Sequence, residues 1–272
     1  MRIANRGDVV LTGEFRNAAQ GGALTLINDN GTVDTGSARV ATVGGALTLE
    51  ARESDASAAG DDARVIVGVP GLGSAGAAIA VRAADGISVG GPVESGGGTI
   101  ALEAGVDAIE ANPDGIGDLQ ISADIEAGAG TVQLSAGAAI QQLAGRIAAA
   151  SLRSTSGGAT TLEQPANAVG RFAATASGDV SLHNARTLAL DASEVGGDLR
   201  IDNARSLAIA DLVRVAGTAT FAVAAGAIDG AGGRIVGPRS RWRPPMASAR
   251  AARSRRRPGP CRRSTRPAVT CG

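Results

Sequence analysis

The chain has 272 residues, 40 of them glycine, with three Phe, one Trp and no Tyr, so its interior has to be assembled from Ala, Val, Leu and Ile. That palette excludes a core resting on bulky aromatics, which supply much of the buried area of ordinary domains, and suits a thin repetitive core. The formal net charge of zero conceals a division: residues 1–237 carry 15 Arg and all 26 acids, whereas residues 238–272 carry 11 Arg and no acid.

The opening MRIANRGDVVLTG has no apolar leader core, and no later stretch is continuously apolar over 18 residues, so neither a signal peptide nor a membrane span is expected within the chain. Its first chemistry-bearing motif is Arg6-Gly7-Asp8, a tripeptide that can present to integrin receptors from an exposed loop. The simpler reading is that Gly7-Asp8 opens a strand, as Gly178-Asp179 and Gly197-Asp198 do. Oxygen-rich clusters follow at Asn28, Asp29 and Asn30, at Asp61 and Asp62, and at Asp114 and Asp118. Their spacing fits no EF-hand loop, and Asp and Asn are also ordinary turn residues, so no dedicated metal site is expected.

Residues 65–86 contain Gly71, Gly73 and Gly76 in the G-x-G-x-x-G spacing after an apolar run. A dinucleotide-binding turn around residues 60–100 would need a helix from about Ser74 to Ala84 and a second βα unit. Only GISVGGPVESGGGTIAL follows, which favours a further alternating strand. His183 is the single histidine, and both cysteines, Cys261 and Cys271, lie beyond residue 237. A Cys–His pair or a multi-histidine metal site therefore has no partners in the body, and neither a catalytic residue nor a cofactor is assigned.

One unit recurs throughout: Gly, a variable residue, an aliphatic, a variable residue, an aliphatic. GDVVL begins at Gly7, GALTL at Gly22 and Gly45, GTIAL at Gly98, GDLQI at Gly117, GTVQL at Gly130, GATTL at Gly158, GDVSL at Gly178 and GDLRI at Gly197, with a looser GTATF at Gly217. The last four are 20, 19 and 20 residues apart, and NARTLAL from Asn184 repeats as NARSLAI from Asn203 in the same phase. Upstream gaps of 15, 23, 19, 13 and 28, and the stretch from Gly45 to Gly98, read as loop insertions between rungs. Within a unit the period is two: Val180, Leu182, Leu199 and Ile201 face inward, and Asp179, Ser181, Asp198 and Arg200 face water. Glycine at each strand start, with Asn184 and Asn203 as substitutes, is expected to supply the positive φ of a tight corner. A five-residue strand cannot bury its apolar face alone, so stacked rungs are expected, about eleven over residues 1–237, in an all-β solenoid rod roughly 50–55 Å long.

Runs such as GDVSLHNARTLALDASEVGGDLRIDNARSLAIADLV resemble the repeats of filamentous haemagglutinin-like exoproteins of the two-partner secretion type. The resemblance covers most of residues 7–237. It implies a right-handed parallel β-helix and export through a dedicated outer-membrane transporter. It also implies a place at the bacterial cell surface, with adhesion to a host receptor or glycan, to other bacteria or to surfaces. The family's secretion domain and extended signal peptide have no counterpart here. The expected function is a non-catalytic structural and adhesive rod segment. A carbohydrate-binding or polysaccharide-cleaving β-helix stands as the alternative, requiring carboxylates or an Arg aligned on neighbouring rungs in a groove.

From Pro238 the repeat gives way to PRSRWRPPMASARAARSRRRPGPCRRSTRPAVTCG. Residues 238–272 are expected to be a disordered basic tail, either an arm for nucleic acid, glycans or anionic lipid or the product of a frameshift near codon 237.

Overall fold

The computed structural model describes residues 1–53, 63–105, 117–230 and 232–243. These form thirty short strands, paired in parallel throughout and with no helix among the described residues, wound into a β-solenoid of about ten turns. Each turn visits three faces in order. The first begins with Arg2–Arg6, the second with Val9–Val10 and the third with Glu14–Gln20; the next turn repeats the order with Leu24–Asp29, Val33–Asp34 and Arg39–Val43. The second face is a separate sheet of eleven strands. The other two merge into one sheet, because strands Ile147–Ser156 and Ala168–Ala176 run through the corner between them.

The hollow of the coil is filled by columns of like residues. On the first face Leu24, Leu47, Ile79, Ile100, Val132, Leu152 and Phe172 lie opposite one another turn after turn. All seven are buried. On the second face Val33, Val65, Ile87, Leu119 and Ile140 do the same. Burying one such side chain is worth about 1.5–3 kcal/mol, and no single turn encloses the column, so the stability belongs to the stack. Val180, Leu182, Leu199 and Ile201 are buried, while Asp179, Asp198 and Arg200 are exposed and Ser181 is half-buried.

The Gly-x-aliphatic unit proves to mark two different corners. Copies at Gly22, Gly45, Gly98 and Gly130 open first-face strands, and those at Gly7, Gly117, Gly158, Gly178, Gly197 and Gly217 open second-face strands. Several irregular gaps therefore reflect a change of face, with no insertion involved. True insertions occur where the register jumps from Leu47 to Ile79 and from Ile100 to Val132. These steps carry residues 54–62 and 106–116, which lie outside the described residues, as do Asp61, Asp62 and Asp114.

The role expected of the glycines also needs correction. Among the ten repeat glycines only Gly7 and Gly117 have positive φ. At Gly45 the preceding Gly44 takes the left-handed turn (φ 70°), and Gly45 is required because a Cβ there would collide with the Gly22 carbonyl one turn away. Close stacking of corner backbones, at a spacing of about 4.8 Å, demands the second glycine. Asn184 and Asn203 do not have positive φ either; Asn30 is the one non-glycine residue that does among those described (φ 55°).

The further alternating strand expected within residues 65–86 is present, whereas the expected start of the tail needs correction. The G-x-G-x-x-G segment holds strands Leu72–Ser74 and Ile79–Ala83 where a dinucleotide site needs a helix. Gly71 is there because a Cβ would strike Pro92 of the next turn, not to admit a pyrophosphate. The stack also continues past residue 237: Arg239–Arg243 pairs with Thr218–Val223, placing Ser240 and Trp242 opposite the core positions Ala219 and Phe221. The alternation Arg-Ser-Arg-Trp-Arg is itself a strand pattern, so the expected boundary at 238 falls too early. Residues 244–272, with Cys261 and Cys271, lie outside the described residues.

Candidate binding groove

On the third face, strands Glu14–Gln20, Arg39–Val43, Leu72–Ser74, Val93–Glu94 and Ile125–Glu126 stack in that order. Alternation sends Phe15, Val40, Leu72, Val93 and Ile125 toward the core. It leaves Arg16, Ala41, Gly73, Glu94 and Glu126 as one outward column, each opposite the next. Because the middle members are Ala and Gly, the column sinks between charged ends into a groove of about 630 Å³ that runs across the strands. Glu14, Arg39 and the loop residues Gly96 and Gly128 complete its rim.

The groove's charges are unequally satisfied. Arg16 lies 3.9 Å from Glu14, a loose contact, and Arg146 Nη2 donates to Glu126 Oε2 at 2.9 Å. Arg39 and Glu94 form neither an ion pair nor a side-chain hydrogen bond among the described residues, and both are exposed. Arg39 Nη2 reaches within 3.9 Å of the point where a Cβ on Gly73 would stand, so this guanidinium leans over the floor. Glu94 is stacked directly on Glu126, a like-charge pairing that the Arg146 guanidinium on Glu126 offsets. Ser74 Oγ is not available to a ligand as a donor, since it bonds to the Ala77 carbonyl at 2.6 Å.

Residues singled out by sequence are placed as follows. Arg6 ends a first-face strand, and Asp8 opens the second face with its carboxylate accepting from the Thr32 amide at 2.8 Å. The same bond recurs from Thr218 N to Asp198 at 2.6 Å, from Asp198 N to Asp179 at 2.7 Å and from Ala139 N to Asp118 at 2.9 Å. Gly-Asp at these corners is thus a turn-to-turn clasp, and Asp8, although exposed, belongs to it. Asn28 is buried and bonds to the Gly31 carbonyl, whereas Asp29 is only half-buried, so their oxygens do not converge. Among the described residues no group of three or more His, Cys, Asp or Glu could hold a metal ion.

His183 is half-buried on the wet side of the second face, opposite Asp202, beside a small cleft of about 140 Å³ that also involves Glu163 and Arg200. Arg200 donates Nε and Nη2 to Asp202 Oδ2 at 2.9 and 2.6 Å. These bonds, and then the carboxylate's charge, raise the guanidinium's pKa above its usual value. His183 itself makes no side-chain hydrogen bond among the described residues, so nothing orients it as a base.

Sequence reasoning missed the groove. Its floor and far wall lie in residues 41–126, where the repeat is least regular, and no motif marks Glu94 or Glu126. The legible signal was an outward Ala and Gly flanked by charges, but only the pairing register brings them together. Comparison of the chain with protein-family models, with curated proteins and with solved structures finds no match.

Proposed function

We propose that the chain is a structural and adhesive rod segment of a larger bacterial surface protein. In this reading the parent protein leaves the cell through an outer-membrane transporter and attaches to a host receptor, a glycan or another surface. The observation that carries the reading is geometric. Eleven strands stack on one face with their outward side chains in columns, so a weak contact can repeat along an axis and gain avidity without any single strong site. The resemblance of residues 178–213 to haemagglutinin-like repeats supports the same reading. Beads coated with the chain should adhere to cells or abiotic surfaces more than beads coated with an unrelated rod of equal charge. Equal adhesion would remove the proposal.

A second reading, a polysaccharide-cleaving β-helix, is favoured by one observation: Glu94 and Glu126 are aligned on neighbouring turns in a groove with Arg16 and Arg39. Against it, both glutamates are exposed, without the apolar enclosure that general acids in glycosidases exploit. Release of reducing ends from a panel of acidic and neutral polysaccharides, lost in Glu94→Gln, would establish it.

A further inference from the structure

We propose that the corner formed by Arg186 and Arg205 binds a phosphate monoester in its doubly charged form. This inference does not depend on the adhesive reading. The repeated Asn-Ala-Arg sets the two arginines at equivalent places on consecutive turns. Asn184 lies opposite Asn203 and Leu188 opposite Leu207, so the three residues between them are matched one to one. Each corner is pinned from inside the coil, since Asn184 Nδ2 and Asn203 Nδ2 donate to the carbonyls of Arg186 and Arg205, both at 2.8 Å. The two side chains therefore leave the coil from stacked backbones about 4.8 Å apart, and both residues are exposed.

Neither Arg186 nor Arg205 makes an ion pair or a side-chain hydrogen bond among the described residues. The carboxylates nearest to them along the chain are already held, Asp191 by Arg171 and Asp202 by Arg200. On the following turn Val223 lies opposite Asn203, which brings the neutral Ala225 to the matching place and ends the stack at two cations. On the preceding turn Arg186 Nη2 reaches within 3.9 Å of the point where a Cβ on Gly170 would stand, so the glycine leaves this guanidinium space. Like charges stacked on neighbouring strands oppose one another, and an anion shared between them removes the conflict. A phosphate monoester carries about −1.5 to −2 at pH 7, a match for two guanidinium groups. Its tetrahedral oxygens can accept from both sides at about 2.7–2.9 Å, the geometry to which the guanidinium fork is suited. A phosphodiester or a carboxylate brings one charge and leaves one arginine uncompensated.

The test is calorimetric titration of the full chain with blocked phosphoserine, dimethyl phosphate and inorganic phosphate at low and high salt. Phosphoserine should bind at least about tenfold more tightly than the diester and weaken as salt rises. Inorganic phosphate separates a free ion from a phosphate carried on a larger molecule, and it should bind no more tightly than phosphoserine. Arg186→Gln and Arg205→Gln keep the backbone carbonyls that Asn184 and Asn203 hold, so the β-rich circular dichroism should be unchanged. Each should weaken phosphoserine binding at least about tenfold. Arg153→Gln removes an exposed first-face arginine that forms no ion pair among the described residues, and it should leave binding unchanged. The proposal is overturned if phosphoserine does not bind at about 10 mM, if the diester equals it, or if inorganic phosphate binds more tightly. It is equally overturned if either corner variant leaves affinity intact, or if Arg153→Gln weakens binding as much as they do.

Discussion

Asn184 Nδ2 donates to Asn203 Oδ1 at 2.9 Å, joining one turn of the coil to the next through two buried amides. Asn184 also accepts from the Val169 amide at 2.8 Å and donates to the Arg186 carbonyl at 2.8 Å, while Asn203 donates to the carbonyls of Arg205 and Ser206. Corner backbone that the strand ladders leave unpaired is satisfied from inside the coil. Gln142 with Asn167, and Asn5 with Asn28, do the same at other corners. Asn184→Leu strands a buried N–H and at least one carbonyl, so it should lower stability by about 1–3 kcal/mol, read as a fall in the urea midpoint. Asn203→Leu should cost a similar amount. The double variant should not recover, because the corner carbonyls remain unpaired.

Ser154 occupies the opposite situation. It lies between Leu134 and Ala174 in an inward column, and its Oγ is buried with no hydrogen-bond partner. Ser154→Ala removes an unpaid desolvation cost of about 1 kcal/mol or more and should raise the urea midpoint without altering its steepness.

The two functions of glycine separate experimentally. Gly13 has φ 85° with nothing within 4 Å of a Cβ, so Gly13→Ala pays only for an unfavourable backbone region, about 1–2 kcal/mol. Gly45→Ala has ordinary φ but meets the Gly22 carbonyl, forcing adjacent turns apart. It should cost more than Gly13→Ala and should weaken amide-exchange protection in both turns flanking the corner.

Surface ion pairs should contribute little. Arg200 keeps 62% of its side chain exposed in its contact with Asp202, and such pairs are worth about 0–1 kcal/mol. The shift itself has a definite sign. A folded-state pKa raised above its unfolded value gives stability that is full below the unfolded value and lost only as pH rises through the folded one. Arg200→Met should therefore shift the thermal midpoint by a few degrees at most, with no dependence on pH between 6 and 9 arising from the guanidinium.

Much of the architecture could be read from spacing. Period-two alternation put Val180 and Leu182 inside and Asp179 outside, and repetition of NARTLAL as NARSLAI announced stacking. What could not be read was which corner each glycine occupies, because a tight approach of backbones asks for Gly on either face. Asn184 and Asn203 stood out in the sequence, but their role was assigned to the backbone when their amides perform it. The strand Arg239–Arg243 was obscured by arginine at its alternate positions. The groove was illegible for a different reason: Ala41, Gly73 and Glu94 are 32 and 21 residues apart, and nothing local to any of them reveals that the intervening turns have the lengths needed to align them.

Because consecutive turns are joined by one covalent thread but held side by side through parallel ladders, the coil has an anisotropic response to load. Tension on the two ends along the axis acts on one corner at a time, peeling a turn as a zipper opens. Each released turn of about 20 residues yields up to roughly 65–70 Å of extended chain for the ~4.8 Å of rod it occupied. A pulled rod would then lengthen in many small, similar steps, dissipating work at each one while the remaining turns stay wound.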